Sequence, residues 1–296
     1  MSTGPPRLSV VIPCYNAGST LRAQMDALVA QRWDEPWEII VADNGSTDHS
    51  RAVLEEYQTR LPQLRIVDAS ARRGQPYALN TGAAASRAEF LAFVDADDEV
   101  GPGWVAALGN AFVNGCDFVA SRFDMERLNA PWVRETRGNG QANGLMQLWY
   151  PPFLPFAGGC GLGVRRTFHA MVGGFDEALP YVHDTDYCIK IQLTGAKLHF
   201  VPEALVHIRL RDDFRAMFRQ SRLWAEANVL VYRRYQSSVS PPPSWHPWRA
   251  YGLDWLYLLR DTYEVRCRGT LGAWISRLGW QIGRFVGSVK QGVGPA

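Results

Sequence analysis

Apolar and polar positions alternate between two periods along the first hundred residues. Leu8–Ile12 is an unbroken apolar run ended by Pro13, the pattern of a short strand buried on both faces. Leu21, Met25, Leu28 and Val29 then recur at helical spacing. Glu38–Ala42 is a second strand-like run, followed by a turn and a helical stretch from Thr47 to about Arg60. The pattern predicts a third strand at Leu64–Val67, a helix at Tyr77–Ser86 and a fourth strand at Glu89–Val94. Such alternation predicts an α/β fold, a parallel sheet covered by helices, with ligands bound where the strands end.

Beyond Val94 the pattern loosens. It predicts a helix near Trp104–Val113, a strand at Asp117–Arg122, a loop at Arg134–Asn143 and a helix at Asp184–Leu193. Strands at Lys197–Val201 and Ala204–Ile208 follow, then a long helix from about Asp213 to Tyr235. Ser237–Pro247 holds four prolines in eleven residues and breaks regular structure. The pattern thus divides the chain into a body (1–236), a Pro-rich linker (237–248) and a tail (249–296). The body divides again near residue 100.

Composition narrows the class. Of 296 residues, 47% are hydrophobic and 20% charged, the balance of a folded chain. A net charge of +2 gives no overall field for nucleic acid, and no nucleic-acid partner is expected. The charge is uneven, however. Residues 245–296 carry seven basic and three acidic side chains, so this segment is +4 and the rest −2. It also holds five of the eleven tryptophans. Five cysteines without CxxC spacing fit a reducing compartment and no disulfide framework. The N-terminal residues show no signal segment, and the longest uncharged stretch, Gly144–Val164, is too rich in proline and glycine to span a membrane. The expectation is a cytoplasmic protein.

The chemistry sits at the strand ends. Pro13-Cys14-Tyr15-Asn16 follows the first strand and suits a flat base, or a simple turn. Asp43-Asn44-Gly45-Ser46-Thr47-Asp48 follows the second. Gly45 permits a tight turn and Ser46 or Thr47 a helix cap, which leaves Asp43 at the tip to accept from a nucleobase N–H. Arg72-Arg73-Gly74-Gln75 and Leu79-Asn80-Thr81-Gly82 follow the third, as phosphate or base contacts or as a solvated basic loop. The fourth ends in Asp95-Ala96-Asp97-Asp98-Glu99. Crowded carboxylates repel one another, and a divalent cation relieves that; a solvated acidic turn is the other reading, and the place at a strand tip favours the cation. Oxygen-only ligands favour Mg²⁺ or Mn²⁺.

In order and spacing, Val10–Asn16 (VVIPCYN), Glu38–Asp48 (EIIVADNGSTD), Gly74–Gly82 (GQPYALNTG) and Phe93–Asp98 (FVDADD) resemble an inverting glycosyltransferase of family 2 with the GT-A fold. The resemblance implies that Pro13, Tyr15 and Asp43 line the base site and that Arg73 and Gly74 lie near the nucleotide. Asn80 and Ala96 fall in the same nucleotide-sugar set. It makes Asp95-Ala96-Asp97 the DxD motif, with Asp95 toward the ribose and Asp97 on a Mn²⁺ or Mg²⁺ ion. Further along, GGFDE (Gly173–Glu177) precedes His183-Asp184. Similar enzymes usually read Glu-Asp there, with the aspartate as catalytic base. That role falls on Asp184, and His183 replaces the glutamate. Asp184 also suits the N-cap of the helix that follows. His207 ends a strand, where a late histidine completes the metal shell in some GT-A enzymes; a core or surface histidine is the other reading. The Arg209 and Arg211 pair suits the diphosphate, and Gly158-Gly159-Cys160-Gly161 the acceptor side. Trp149, Tyr150 and Phe153 suit either sugar stacking or core packing.

The implied function is transfer of a sugar from a nucleotide sugar, most often UDP-linked among similar enzymes, to a hydroxyl of a glycan or lipid-linked acceptor. The rival is a non-catalytic nucleotide-sugar or membrane-binding module on the same fold. Pro13–Thr20 lacks the GxGxxG of a dehydrogenase, and Leu223 breaks the QxxRW motif of processive synthases. In the tail, Leu271, Trp274, Ile275, Leu278, Ile282, Phe285, Val286 and Val289 share one helical face, while Gly279, Gly283 and Gly287 form a second stripe. This helix packs on the body, makes a homodimer contact, or lies on an anionic leaflet at the inner face of the plasma membrane.

Overall fold

A computed structural model describes residues 4–240 and 246–295. The chain forms two compact units, one from 1–124, 140–146 and 156–208 and one from 125–139, 147–155 and 209–296. The strands are β1 (Leu8–Cys14), β2 (Trp37–Asp43), β3 (Leu64–Asp68), β4 (Phe90–Phe93), β5 (Glu99–Val100), β6 (Phe118–Asp124), β7 (Met146–Gln147), β8 (Pro155–Phe156), β9 (Leu162–Arg165) and β10 (Leu198–His207). The helices are α1 (Leu21–Val29), α2 (Ser50–Gln58), α3 (Gln75–Ala85), α4 (Trp104–Val113), α5 (Pro131–Arg134), α6 (Arg166–Met171), α7 (His183–Leu193), α8 (Phe214–Tyr235), α9 (Pro247–Arg260) and α10 (Arg268–Gln291).

The first unit is built on an eight-stranded sheet in the order β3-β2-β1-β4-β9-β6-β10-β5. Its β3-β2-β1-β4 half is parallel, and Val10–Ile12 and Ile39–Ala42 are fully buried, as strands covered on both faces must be. The registers align the carboxyl ends: Cys14 pairs with Asp43, Asp43 with Asp68, and Val11 with Phe93. The predicted loops therefore emerge together at one edge of the sheet.

The other half departs from the pattern in two ways. Strand β9 runs antiparallel between β4 and β6, which makes the sheet mixed. It is four residues long (LGVR) within a Gly-rich stretch, too short for a period to show. Residues 197–208, read as two strands, form the single strand β10 with a register shift between Val201 and Leu205. Pro202 lies in the shift, where the ladder needs no N–H.

Below the strand ends, an aromatic group holds α7. Tyr187 is fully buried, stacks on Phe175 at 4.1 Å and meets Phe93 and Phe118 edge-on at 6.3 and 6.1 Å. Its hydroxyl lies 2.8 Å from Nδ1 of His169 on α6. Burial pushes the His169 pKa down to about 4, with Lys190 adding to the effect. The unfolded chain takes up this proton near pH 6.5. The stability tied to neutral His169 is therefore complete above about pH 6.5 and lost as pH falls through about 4, a loss of about 3 kcal/mol. Urea unfolding at several pH values is expected to show a steeper acid loss for wild type than for His169→Gln. Equal slopes would contradict this.

The second unit is helical. Asp213 caps α8, its carboxylate accepting from Ala216 N at 2.8 Å. α10 lies against α8 through the glycine stripe. A Cβ at Gly279 or Gly287 would sit 2.6 or 2.8 Å from the carbonyl oxygens of Phe218 and Glu226, and one at Gly283 closer still to that of Arg222. Small residues thus let the two backbones approach. The buried side of α10 is this stripe with Gln281, Arg284 and Ser288, while Phe285 and Val289 of the apolar face are exposed. The unit takes in α8, which the sequence pattern places with the body. Residues 241–245 of the Pro-rich stretch lie outside the described residues.

Candidate active site

Three loops meet at the aligned ends of β1, β2 and β3. Asn16 Oδ1 accepts from Thr47 N at 2.8 Å, and Gly18 N donates to Asp48 at 2.9 Å, so the loops after β1 and β2 are laced together. Asp43 is buried, and its Oδ1 accepts from Ser46 N at 2.9 Å, which fixes the carboxylate at the strand tip. Pro13 pairs with Ala42 beside it. Exposed Tyr15 carries the Arg73 guanidinium over its ring at 4.2 Å. Tyr15, Asp43 and Arg73 are thus held in one loop cluster.

Asn44, to which the sequence pattern assigns no role, organises this cluster. Its amide donates to the carbonyls of Ala69 and Arg72, and its Oδ1 accepts from Gly74 N at 2.9 Å. Gly74 has φ +139°, a conformation L side chains rarely adopt, and it starts α3. Asn80 is bonded to the GGFDE segment. Its amide brackets Phe175 N and O at 2.9 Å and reaches Glu177 at 3.0 Å, while Arg72 pairs with Glu177 at 2.8 Å. Both residues tie the GGFDE segment to the loops after β3.

The acidic loop after β4 is clamped from below by α1. Fully buried Gln24 donates to the Asp95 carbonyl at 3.1 Å and accepts from Val100 N at 3.0 Å. Gln31 makes the same pair of bonds to Gly101 and Val105. Thr20 reaches the carbonyl of buried Ala96 at 3.5 Å. Gln24 on α1 and Gln31 just beyond it carry no local sequence signal of this role. The loop is held so that Asp95, Asp98 and Cys160 bring ligand atoms within 4.8 Å of one another.

Electrostatics single out this point. Burial raises the Asp95 pKa well above the usual carboxylate range, and the charges of Asp98, Asp97 and Asp184 push it further, against a 2.8 Å hydrogen bond from Gln75. A hard cation would relieve that repulsion, and the oxygen donors fit Mn²⁺ or Mg²⁺. Cys160 does not fit such an ion. Its thiol is driven up by burial and by Asp98 and Asp95, so it stays protonated beside the carboxylates. His207 bonds Asp124 through Nδ1 at 2.7 Å, and β10 sets it opposite Glu99 of β5. This arrangement fixes the ring and leaves Nε2 for another partner. Asp124, at the end of β6, was not singled out from sequence.

Asp184 lies in the first turn of α7 and not at its cap, which is Val182. Gly159 N donates to its Oδ2 at 2.9 Å, and its Oδ1 accepts from Thr185 N at 2.8 Å. Both bonds fix the carboxylate at the start of the helix. Neighbouring His183 is buried edge-on against Phe175 at 5.7 Å, and burial lowers its pKa. A neutral imidazole therefore stands beside the Asp184 carboxylate. Arg209, Arg211, Trp149, Tyr150 and Phe153 belong to the second unit, where Tyr150 is fully buried and donates to Asn228 at 2.7 Å.

The profile of glycosyl transferase family 2 matches residues 9–172, more than half of the chain. The chain belongs to glycosyl transferase family 2. Asp184 and His207 of this family 2 chain lie beyond the matched segment. Among curated relatives, an uncharacterized glycosyltransferase of Escherichia coli K12, YibD, is 36% identical over 137 residues, 46% of this chain and 38% of its own length. The O-antigen biosynthesis protein RfbC of Myxococcus xanthus is 27% identical over 207 residues, 69% of this chain and 16% of its own length. The chain thus spans well under two thirds of these relatives. A solved mannosyltransferase of Pyrobaculum calidifontis, in complex with GDP-Man and Mn²⁺, has a TM-score of 0.64 at 19% identity, over 98% of this chain and 88% of its own. Residues 1–349 of Staphylococcus aureus TarS with UDP give a TM-score of 0.53 at 16% identity, over 97% and 92% of the two chains. These likenesses show the fold, which is the GT-A fold expected from the motifs.

Proposed function

We propose that this chain is an inverting, metal-dependent hexosyltransferase that moves a sugar from a nucleotide sugar to a hydroxyl of a glycan or lipid-linked acceptor. The observation that carries the reading is the carboxylate cluster after β4, where Asp95 and Asp98 bring oxygens within 4.8 Å of one another; burial raises the Asp95 pKa, and the charges of Asp98, Asp97 and Asp184 add to it. In this reading Tyr15, Asp43 and Arg73 receive the base and Asp95 the ribose. Asp97 and Asp98 would hold the cation, with His207 Nε2 as a further ligand. Bound there, such an ion would supply Lewis-acid stabilisation to the departing diphosphate.

Asp184 is the base. The acceptor hydroxyl oxygen forms a bond to the anomeric carbon as the bond from that carbon to the diphosphate oxygen breaks, the electron pair leaving with the diphosphate. The hydroxyl proton passes to a carboxylate oxygen of Asp184. One displacement inverts the anomeric centre and needs no covalent enzyme intermediate. The two backbone N–H bonds hold the carboxylate in place for this step.

The Pyrobaculum structure holds GDP-Man and Mn²⁺ and the TarS structure UDP, so both nucleotides belong in a donor test. We favour UDP. Incubation with UDP- and GDP-linked hexoses and Mn²⁺ is expected to release nucleoside diphosphate slowly, and EDTA to stop it. Release that ignores EDTA, or none from any donor, contradicts the reading and favours the non-catalytic module.

A further inference from the structure

We propose that the outward face of α9 is a docking surface for an anionic lipid bilayer. The inward face of this helix is settled by its contacts. Tyr251 donates to the Gln281 carbonyl at 3.2 Å, Asp254 pairs with Arg284 at 2.6 Å, and buried Leu258 accepts from Trp274 Nε1 at 3.1 Å. These positions share one side of α9. On the opposite arc stand Trp248, Leu256 and Leu259, 59%, 63% and 61% exposed, with Leu253 and Tyr257 at its edge. Tyr263, just beyond the helix, is also exposed. Scattered apolar residues on a surface are ordinary, but five on one helix face are a patch.

Charge identifies the occupant. Arg249 and Arg260 sit at the two ends of the same arc, which carries no acid. Of the acids nearby, Asp254 pairs with Arg284, and Asp261 is shared by Arg260 and Arg277, so one carboxylate stands against two guanidinium groups there, with Glu264 just beyond the helix and, among the described residues, Arg249 unopposed at the other end. A leucine-rich centre with Trp and Tyr at its edges and arginines at its ends matches the depth profile of a lipid interface, with apolar chains over the acyl boundary and guanidinium groups at lipid phosphate. At 14 residues α9 is too short to span, and no helix among the described residues is long and apolar enough to cross a membrane. The helix therefore lies in the plane of the surface. The sequence pattern leaves α10 three readings, packing on the body, a homodimer contact or an anionic leaflet, and its glycine stripe is engaged by α8.

The inference rests on the helix face and not on the transferase reading, and its test uses no nucleotide. The full chain is spun with vesicles of phosphatidylcholine alone, or with about one third phosphatidylglycerol. Sedimentation with the anionic vesicles is expected. The double variant Leu256→Glu, Leu259→Glu, with unchanged Tm, is expected to weaken binding at least about tenfold. Arg249→Gln is expected to weaken it about fivefold on anionic vesicles only. A chain that stays in the supernatant, binds neutral vesicles equally, or is indifferent to the glutamates overturns the proposal. So does light scattering that shows a dimer broken by the glutamates without vesicle binding, which would make the face a contact between two copies.

Discussion

Asp184→Asn lowers kcat by about 10²–10⁴-fold, the usual worth of a general base, while the affinity for nucleoside diphosphate stays unchanged. The amide keeps the volume of the carboxylate and one of its backbone hydrogen bonds. Its NH₂ cannot accept from Gly159 or Thr185, so the side chain retains its place through the other oxygen. What it loses is the ability to take a proton. Donor turnover and calorimetric binding of the nucleotide, measured on the same preparation, separate these effects. Loss of binding in parallel with turnover would make Asp184 structural. Turnover within tenfold of wild type would remove it from the chemistry altogether.

Gly283→Ala destabilises the helical unit by about 3 kcal/mol, a fall in Tm of roughly 10 °C. The added methyl meets the backbone carbonyl of Arg222, which cannot swing aside as a side chain would, and the Cβ of Ala225 at 2.8 Å. The helices must separate or shift. Gly252→Ala on α9 is the control. Nothing lies within 4 Å of a Cβ there, so the usual preference of helices for alanine returns about 0.5–1 kcal/mol of stability. Calorimetric scans of both variants decide the matter. Equal Tm values for Gly283→Ala and wild type would mean that the two helices do not pack backbone to backbone.

These expectations differ in how far the sequence alone supports them. The parallel half of the sheet was legible because its strands are buried on both faces, and unbroken apolar runs such as Val10–Ile12 and Ile39–Ala42 leave one reading. Strand β9 was not, because four residues cannot display a period and its place depends on partners far away in the chain. The same holds within the site. Asp43, Asp95 and Asp97 stand at strand ends and can be picked out by position. Asn44, Gln24 and Asp124 act by holding loops and a histidine through distant hydrogen bonds, which no local pattern encodes. Asn80 shows the converse: a motif residue whose amide serves the GGFDE segment. In the tail, the apolar period of α10 drew attention first, yet the small residues set its packing, since close approach depends on what is missing from a side chain.

The central claim is that the carboxylates after β4 hold a divalent cation together with a nucleoside diphosphate. Isothermal titration of UDP and of GDP into the chain, with Mn²⁺ and then with EDTA, tests it most directly. The account predicts that at least one nucleotide binds about tenfold or more tightly with Mn²⁺, and that Asp97→Asn with Mn²⁺ present binds as weakly as wild type in EDTA. Binding that is indifferent to both Mn²⁺ and Asp97→Asn, or no binding of either nucleotide with Mn²⁺ present, would contradict it.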